Sequence, residues 1–180
     1  MVYILLAPGF EESEALVPAD LLRRAGVPVA LTALSGELVT GSHQITVKAD
    51  LALSQVDLTR ADMVVLPGGL KGVRNLGDSP AVAALVQEAV DREIWLAAIC
   101  AAPTLLGRLG HLRKKCAVCY PGMEAGLVNA EPCPEQGVVV DGKIITGRAA
   151  GSSFDFGLKL VEVLAGAEKA GEVRNGVVYR

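Results

Sequence analysis

Cys100 is the residue whose neighbours most favour chemistry. It follows the apolar run Trp95-Leu96-Ala97-Ala98-Ile99 and precedes Ala101-Ala102-Pro103-Thr104, where a buried strand is predicted to turn into a helix. A thiol beside the free N–H groups of a helix N-terminus is favoured as thiolate, its nucleophilic form, because those donors and the helix dipole stabilise negative charge. The layout is that of a strand–turn–helix nucleophile elbow. Position alone leaves a second reading open, since free cysteines are often no more than small buried hydrophobes.

A reactive thiol needs a group to manage its proton. Glu11, Glu12 and Glu14 open the first predicted helix, where the dipole favours acids whether or not they react, and that reading accounts for Glu11 and Glu12. Glu14 differs, because Pro18 lies four residues on and has no N–H for the carbonyl of residue 14, which predicts a kink in the first turn. If the strand order brings this loop beside Cys100, the Glu14 carboxyl can share a proton with the thiol and shuttle it on a substrate. Beside a thiolate it is expected to stay protonated, since two adjacent negative charges in an apolar site are costly.

A third feature is Pro67-Gly68-Gly69, where glycines let backbone amides approach a ligand closely. The N–H of Gly69 with that of Ala101 would form an oxyanion hole for the oxygen that becomes negative when a thiolate adds to a carbonyl. Taken alone, Gly68-Gly69 is also an ordinary turn. Metal chemistry has a weaker footing. Cys116-x-x-Cys119 with Cys133 has zinc-like spacing, but the pair falls in a predicted strand, where residues three apart face opposite sides. His43 in a predicted hairpin and His111 near a helix end are in ordinary places for histidine. No metal site is expected.

These residues must be held by the elements around them. Short Val/Ile/Leu-rich runs alternate with longer amphipathic segments, the pattern of parallel strands joined by crossover helices. Strands are predicted at about Tyr3 to Leu6, Val27 to Leu34, Asp62 to Leu66, Trp95 to Ile99, Cys116 to Cys119 and Ile144 to Thr146. Helices are predicted from Glu11 to Ala25, ending at Gly26, from Pro80 to Arg92 after Asp78-Ser79, after Cys100, and from Ser152-Ser153 through Phe154, Phe156, Leu160 and Leu164. Glu37 to Lys48, turning at Thr40-Gly41-Ser42, and Val138 to Ile145, turning at Asp141-Gly142, read as hairpins at the sheet edge. The expected fold is an α/β, flavodoxin-like, doubly wound and mostly parallel sheet with helices on both faces. Reactive groups in such sheets lie at the carboxyl ends of the strands, which directs attention to residues 8–14, 67–69 and 99–101.

Composition narrows the function classes. A chain of 180 residues is of ordinary size for one domain, and residues 1–180 are read as one. Hydrophobic residues make up 51% and charged residues 21%, which excludes disorder, and a mean hydropathy of +0.41 calls for extensive burial or a subunit interface. With a formal charge of -3 and both signs mixed along the chain, no basic stripe offers itself to nucleic acid. No apolar run approaches the roughly 20 residues needed to span a bilayer. The apolar N-terminus lacks a basic flank, so a cytoplasmic protein with cysteines kept as thiols is expected.

Taken together, Gly9-Phe10-Glu11-Glu12-Ser13-Glu14, Leu66-Pro67-Gly68-Gly69 and Ala98-Ile99-Cys100-Ala101-Ala102-Pro103 resemble the DJ-1/ThiJ/PfpI superfamily in order and spacing. The resemblance continues through Cys119-Tyr120-Pro121-Gly122 and from Thr146-Gly147-Arg148 to Phe156-Gly157, covering essentially the whole chain. It is to the branch that includes the parkinsonism-associated protein. It implies a flavodoxin-like homodimer without metal or organic cofactor, Cys100 as nucleophile and readily oxidised thiol, Glu14 as its hydrogen-bonded partner, and Gly69 and Ala101 as oxyanion-binding amides, with Gly68 beside them.

Two departures stand out. Many members carry histidine where this chain has Tyr120 before Pro121, which removes a cysteine–histidine dyad and argues against protease-like chemistry. Tyr120 is then a candidate hydrogen-bond donor to a substrate or to Glu14, or a buried tyrosine with a satisfied hydroxyl. The Gly-Pro-Gly usual before the last helix is replaced by Ala149-Ala150-Gly151. The resemblance implies conversion of 2-oxoaldehydes such as methylglyoxal or glyoxal to hydroxy acids, as in glyoxalase III, or deglycation of early adducts on glycated side chains. The alternative is an oxidative-stress sensor or chaperone in which Cys100 is oxidised to sulfinate and capped by the Glu14 proton.

Overall fold

The computed structural model describes residues 1–180. The chain runs β1 (Val2–Leu6), α1 (Glu12–Arg24), β2 (Val29–Ala33), β3 (Leu38–Thr40), β4 (Thr46–Lys48), β5 (Leu51–Ala52), β6 (Met63–Leu66), α2 (Leu70–Gly77), α3 (Pro80–Asp91), β7 (Trp95–Ile99) and α4 (Pro103–Arg108). It continues through β8 (Cys116–Ala117), β9 (Glu131–Pro132), β10 (Val138–Asp141), β11 (Ile144–Gly147), α5 (Ser153–Ala165) and α6 (Ala167–Gly176).

Seven strands form one sheet in the order β10-β11-β7-β6-β1-β2-β5, parallel throughout except for the antiparallel edge pair β10–β11. The central strands are apolar at every position because both of their faces are covered. Alternation along β1 divides the core: Tyr3 and Leu5 join Val73, Leu76, Val86 and Leu105 from α2, α3 and α4 on one face. Val2, Ile4 and Leu6 join Leu21, Leu22, Phe156, Leu160 and Val173 from α1, α5 and α6 on the other. The result is the predicted α/β sandwich, with β1, β6 and β7 adjacent and their carboxyl ends side by side.

Several local expectations are corrected. Helix α1 runs unbroken through Pro18, so the predicted kink does not interrupt it. The Cys116 to Cys119 strand shrinks to β8, which pairs with β9 in a small sheet outside the main one. The β3–β4 hairpin likewise forms its own two-stranded sheet, with residues 41–45 between its strands. Helices α2 and α6 were not predicted. Their apolar signal is sparse, since α2 buries Gly72, Val73 and Leu76 and α6 only Ala170 and Val173, and two glycines in α2 lower its intrinsic propensity. Phe154 sits on the outer side of α5, stacked on Tyr179 with ring centroids 4.9 Å apart.

Candidate active site

Strand β7 delivers Cys100 to the carboxyl edge of the sheet in a left-handed conformation, φ +65°. This is a rare backbone for a side chain with a Cβ, costing on the order of 1–3 kcal/mol unless the surroundings impose it. Two hydrogen bonds impose it here: the Cys100 N–H donates to the Gly147 carbonyl at 2.9 Å, and the Cys100 carbonyl accepts from the Tyr120 N–H at 2.8 Å. The helix expected to begin at Cys100 begins instead at Pro103, with Ala102 as its cap. The groups that favour negative charge on sulfur are therefore the individual amides of Gly69 and Ala101, which pull the thiol pKa down.

Gly68 and Gly69 draw the first and third loops onto this elbow. The Gly68 carbonyl accepts from the Glu11 N–H at 3.0 Å. A Cβ on Gly68 would lie 2.4 Å from Glu14 Oε2 and 2.7 Å from the Cys100 Cβ, so only glycine lets the carboxyl and the thiol converge there. Gly69 adopts φ +86° with Gly9 O and Glu11 N packed against it, which turns its N–H toward the sulfur.

Glu14 is fully buried, with a relative exposure of 0%. Oε2 accepts from the Gly68 N–H at 2.9 Å, while Oε1 has no partner that meets hydrogen-bond geometry. A buried, unpaired carboxyl oxygen is unusual enough to demand a reason. The Cys100 thiol supplies one, since it lies near enough for each group to shift the other's titration. Burial raises the Glu14 pKa to about 7 against the pull of the Cys100 thiol and the Gly68 N–H, with the charge of Glu11 adding to the rise. Burial pushes the Cys100 thiol up to about 12, helped by the charge of the neighbouring Glu14 carboxyl. The Glu14 contributions disappear once Glu14 itself holds the proton, so the two groups titrate as a unit that shares one proton.

In front of the elbow lies a cavity of about 820 Å³ walled by Glu11, His43, Gly69, Cys100, Ala101, Tyr120 and Met123, among others. Glu14 is absent from that wall and stands behind the sulfur. The Gly68 N–H is engaged by Glu14, which makes Gly68 the mount of the carboxyl. Tyr120 is 49% exposed, and its hydroxyl makes no hydrogen bond to the protein, Glu14 included. The reading of Tyr120 as buried and satisfied is thereby replaced by a half-exposed tyrosine on the cavity wall.

The rim contains residues that sequence reasoning passed over. Glu12 is 5% exposed, its Oε1 accepts from the His43 N–H at 2.7 Å, and its Oε2 lies 3.0 Å from His43 Nδ1. Burial opposes ionisation of Glu12, but N–H donors from its own backbone and from His43 outweigh it and hold the pKa below the usual value. Glu12 in turn raises the pKa of His43, with the charge of Glu11 adding to the effect. Nothing in the sequence signals a pair 31 positions apart that forms only when the β3–β4 hairpin folds over the start of α1. Glu11, Glu12 and His43 each place one potential ligand atom within 4.8 Å of the others, which makes them the group able to hold a cation. The three cysteines considered for zinc do not converge, because Cys119 is buried in the core while Cys116 and Cys133 lie partly exposed on the β8–β9 sheet.

Comparison with known proteins agrees with this fold. Residues 1–163 match the DJ-1/PfpI family. The chain is 42% identical over 177 residues to protein dj-1beta of Drosophila melanogaster, covering 97% of this chain and 95% of that one. The crystal structure of Drosophila melanogaster DJ-1beta superposes with a TM-score of 0.95 at 41% identity, covering 99% and 97% of the two chains. The glutathione-independent glyoxalase DJR-1.2 of Caenorhabditis elegans is 32% identical over 167 residues, 92% of this chain and 89% of its own length. With a family match over residues 1–163 and more than 40% identity to a DJ-1 relative along nearly its whole length, the chain belongs to the DJ-1/PfpI family and is closely related to its DJ-1 members.

Proposed function

We propose that this protein is a cofactor-independent enzyme of reactive carbonyls that converts 2-oxoaldehydes to hydroxy acids, with Cys100 as nucleophile and Glu14 as the acid–base. The observation that carries this reading is the buried Glu14 carboxyl, poised near neutrality with one oxygen unpaired beside the Cys100 thiol. Similarity to a protein named as a glutathione-independent glyoxalase supports it.

The chemistry balances within the substrate plus one water. The thiol proton passes to Glu14 as sulfur bonds to the aldehyde carbon, and the aldehyde oxygen becomes an anion facing the amides of Gly69 and Ala101. Glu14 returns the proton to that oxygen, giving a hemithioacetal. The carboxylate then takes the hydrogen from the former aldehyde carbon, the electron pair moves through an enediolate, the proton is delivered to the neighbouring carbon, and the hydroxyl proton of the first carbon passes to the oxygen of the second. The first carbon is now a thioester and the second an alcohol. Water cleaves the thioester, releasing the hydroxy acid and regenerating the thiol. Glu14 acts from behind the sulfur, which suits a proton transfer confined to atoms bonded next to it. Removal of adducts from glycated side chains would use the same first addition, and the open cavity leaves room for a larger substrate.

A second reading has its own support: two amides and a protonatable carboxyl around one partly exposed sulfur would also hold a sulfinate, as in a redox sensor. Turnover separates the two. Purified protein should form hydroxy acid from methylglyoxal saturably and over many equivalents, and Cys100→Ser should abolish this while leaving the fold intact. Stoichiometric mass gain on peroxide with no turnover, or undiminished turnover in Cys100→Ser, would overturn the proposal.

A further inference from the structure

Cys116 and Cys133 have no part in the carbonyl site, yet the fold brings them together. The parallel β8–β9 ladder pairs Cys116 with Glu131 and Ala117 with Pro132, and it continues as the Cys133 N–H donates to the Ala117 carbonyl at 2.8 Å. Side chains alternate along a strand, so residues 131 and 133 share the face of Cys116, and Cys133 stands one diagonal step from it. The Cys133 side chain leans back along its own strand, with Sγ 3.6 Å from the Glu131 carbonyl oxygen, toward the residue that flanks Cys116. Both are free thiols and partly exposed. Their proximity also shows in titration, where the Cys133 thiol is the largest influence raising the Cys116 pKa. Each strand is only two residues long and continues into loop, so the approach that an S–S bond demands falls on a short ladder.

We propose that Cys116 and Cys133 form a reversible disulfide within one chain on exposure to a hydroperoxide. One sulfur attacks the peroxide, the O–O bond breaks, and the leaving oxygen departs as water or alcohol, giving a sulfenic acid. The second sulfur attacks the first, the S–O bond breaks, and the hydroxide leaves as water with the second thiol's proton. The two thiols are oxidised by two electrons in all, and the peroxide is reduced by the same two. The segment so closed carries Tyr120, Gly122 and Met123 of the cavity wall, so the bond links the redox state of this strand pair to the wall facing Cys100. Cys119, although in the same segment, is 3% exposed and packed in the core, away from both partners. The inference does not depend on the carbonyl reading.

The sequence makes the test direct. Trypsin releases residues 116–143 as one peptide holding Cys116, Cys119 and Cys133. Intact protein is treated with hydrogen peroxide, denatured, alkylated and digested. The peptide is expected to carry a single alkyl group, on Cys119, and to be lighter by two hydrogens, with dithiothreitol before alkylation restoring all three sites. In Cys116→Ser or Cys133→Ser the loss of two hydrogens should disappear, because no second thiol remains to close the bridge. Three alkylated thiols at peroxide levels that oxidise Cys100, a bridge to Cys119 or to a second chain, or irreversible oxygen addition at Cys116 or Cys133 would overturn the proposal.

Discussion

The proton affinity of Glu14 comes from where α1 places it. A carboxyl buried to 0% exposure with one amide donor is under-solvated as an anion, and its pKa rises from 4.5 to about 7. That shift has a thermodynamic consequence whose sign is fixed. Between the unfolded and folded values the native state binds more protons than the unfolded chain, so stability falls as pH rises through this window. The shift corresponds to on the order of 3 kcal/mol, present below about pH 4.5 and lost by pH values above about 7. Urea unfolding at about pH 5 and about pH 8 should show this loss in the wild type and a much smaller one in Glu14→Gln, which has nothing to titrate there. Equal pH dependence in the two proteins would show that Glu14 titrates normally. At this scale the convergence of the loops carrying Cys100, Glu14 and Gly68-Gly69 was anticipated from their places at strand ends, whereas the kink that singled out Glu14 is absent from α1. The unpaired Oε1 was not, because an orphaned atom is a property of packing.

Among the elements, the elbow after β7 and the loops after β1 and β6 were predictable because buried strands and their carboxyl ends follow simple patterns. What failed were segments whose apolar pattern is thin, such as α2 and α6, and contacts between elements distant in sequence. Glu12 illustrates the second kind. Its local context, the first turn of α1, explains an acid without any contact, while the structure uses it to fasten the β3–β4 hairpin through His43, with a weaker contact to the Ile45 N–H at 3.4 Å. Glu12→Gln keeps the shape but removes the charge from these hydrogen bonds, so a loss of roughly 1–2 kcal/mol is expected, concentrated in the hairpin. Hydrogen exchange should quicken across residues 41–46 with the central sheet unchanged. Unaltered protection of that segment would mean that the hairpin stands without Glu12.

For the molecule as a whole, the sandwich was legible because strands buried on both faces read as continuous apolar runs separated by amphipathic helices. No helix is long and apolar enough to cross a membrane. Surface apolar residues remain, including Leu38 and Ile45 on the β3–β4 hairpin and Leu70 at the start of α2. They are candidate contacts for the symmetric homodimer that the sequence leads one to expect. Light scattering at micromolar concentration should report twice the chain mass, and a monomer would contradict it.

The central claim is that Glu14 moves protons for Cys100, and Glu14→Gln tests it most directly. Glutamine can keep the hydrogen bond from Gly68 and turn its NH₂ toward the sulfur, but it can neither take nor return a proton. It also removes the negative charge that raises the thiol pKa. Measured side by side on one preparation, methylglyoxal turnover should fall by roughly 10²-fold or more, the usual scale of general acid–base assistance. Alkylation of Cys100 near neutral pH should proceed at least as fast as in the wild type. Turnover within about twofold of wild type, far short of that scale, would contradict the account and leave Glu14 a structural residue.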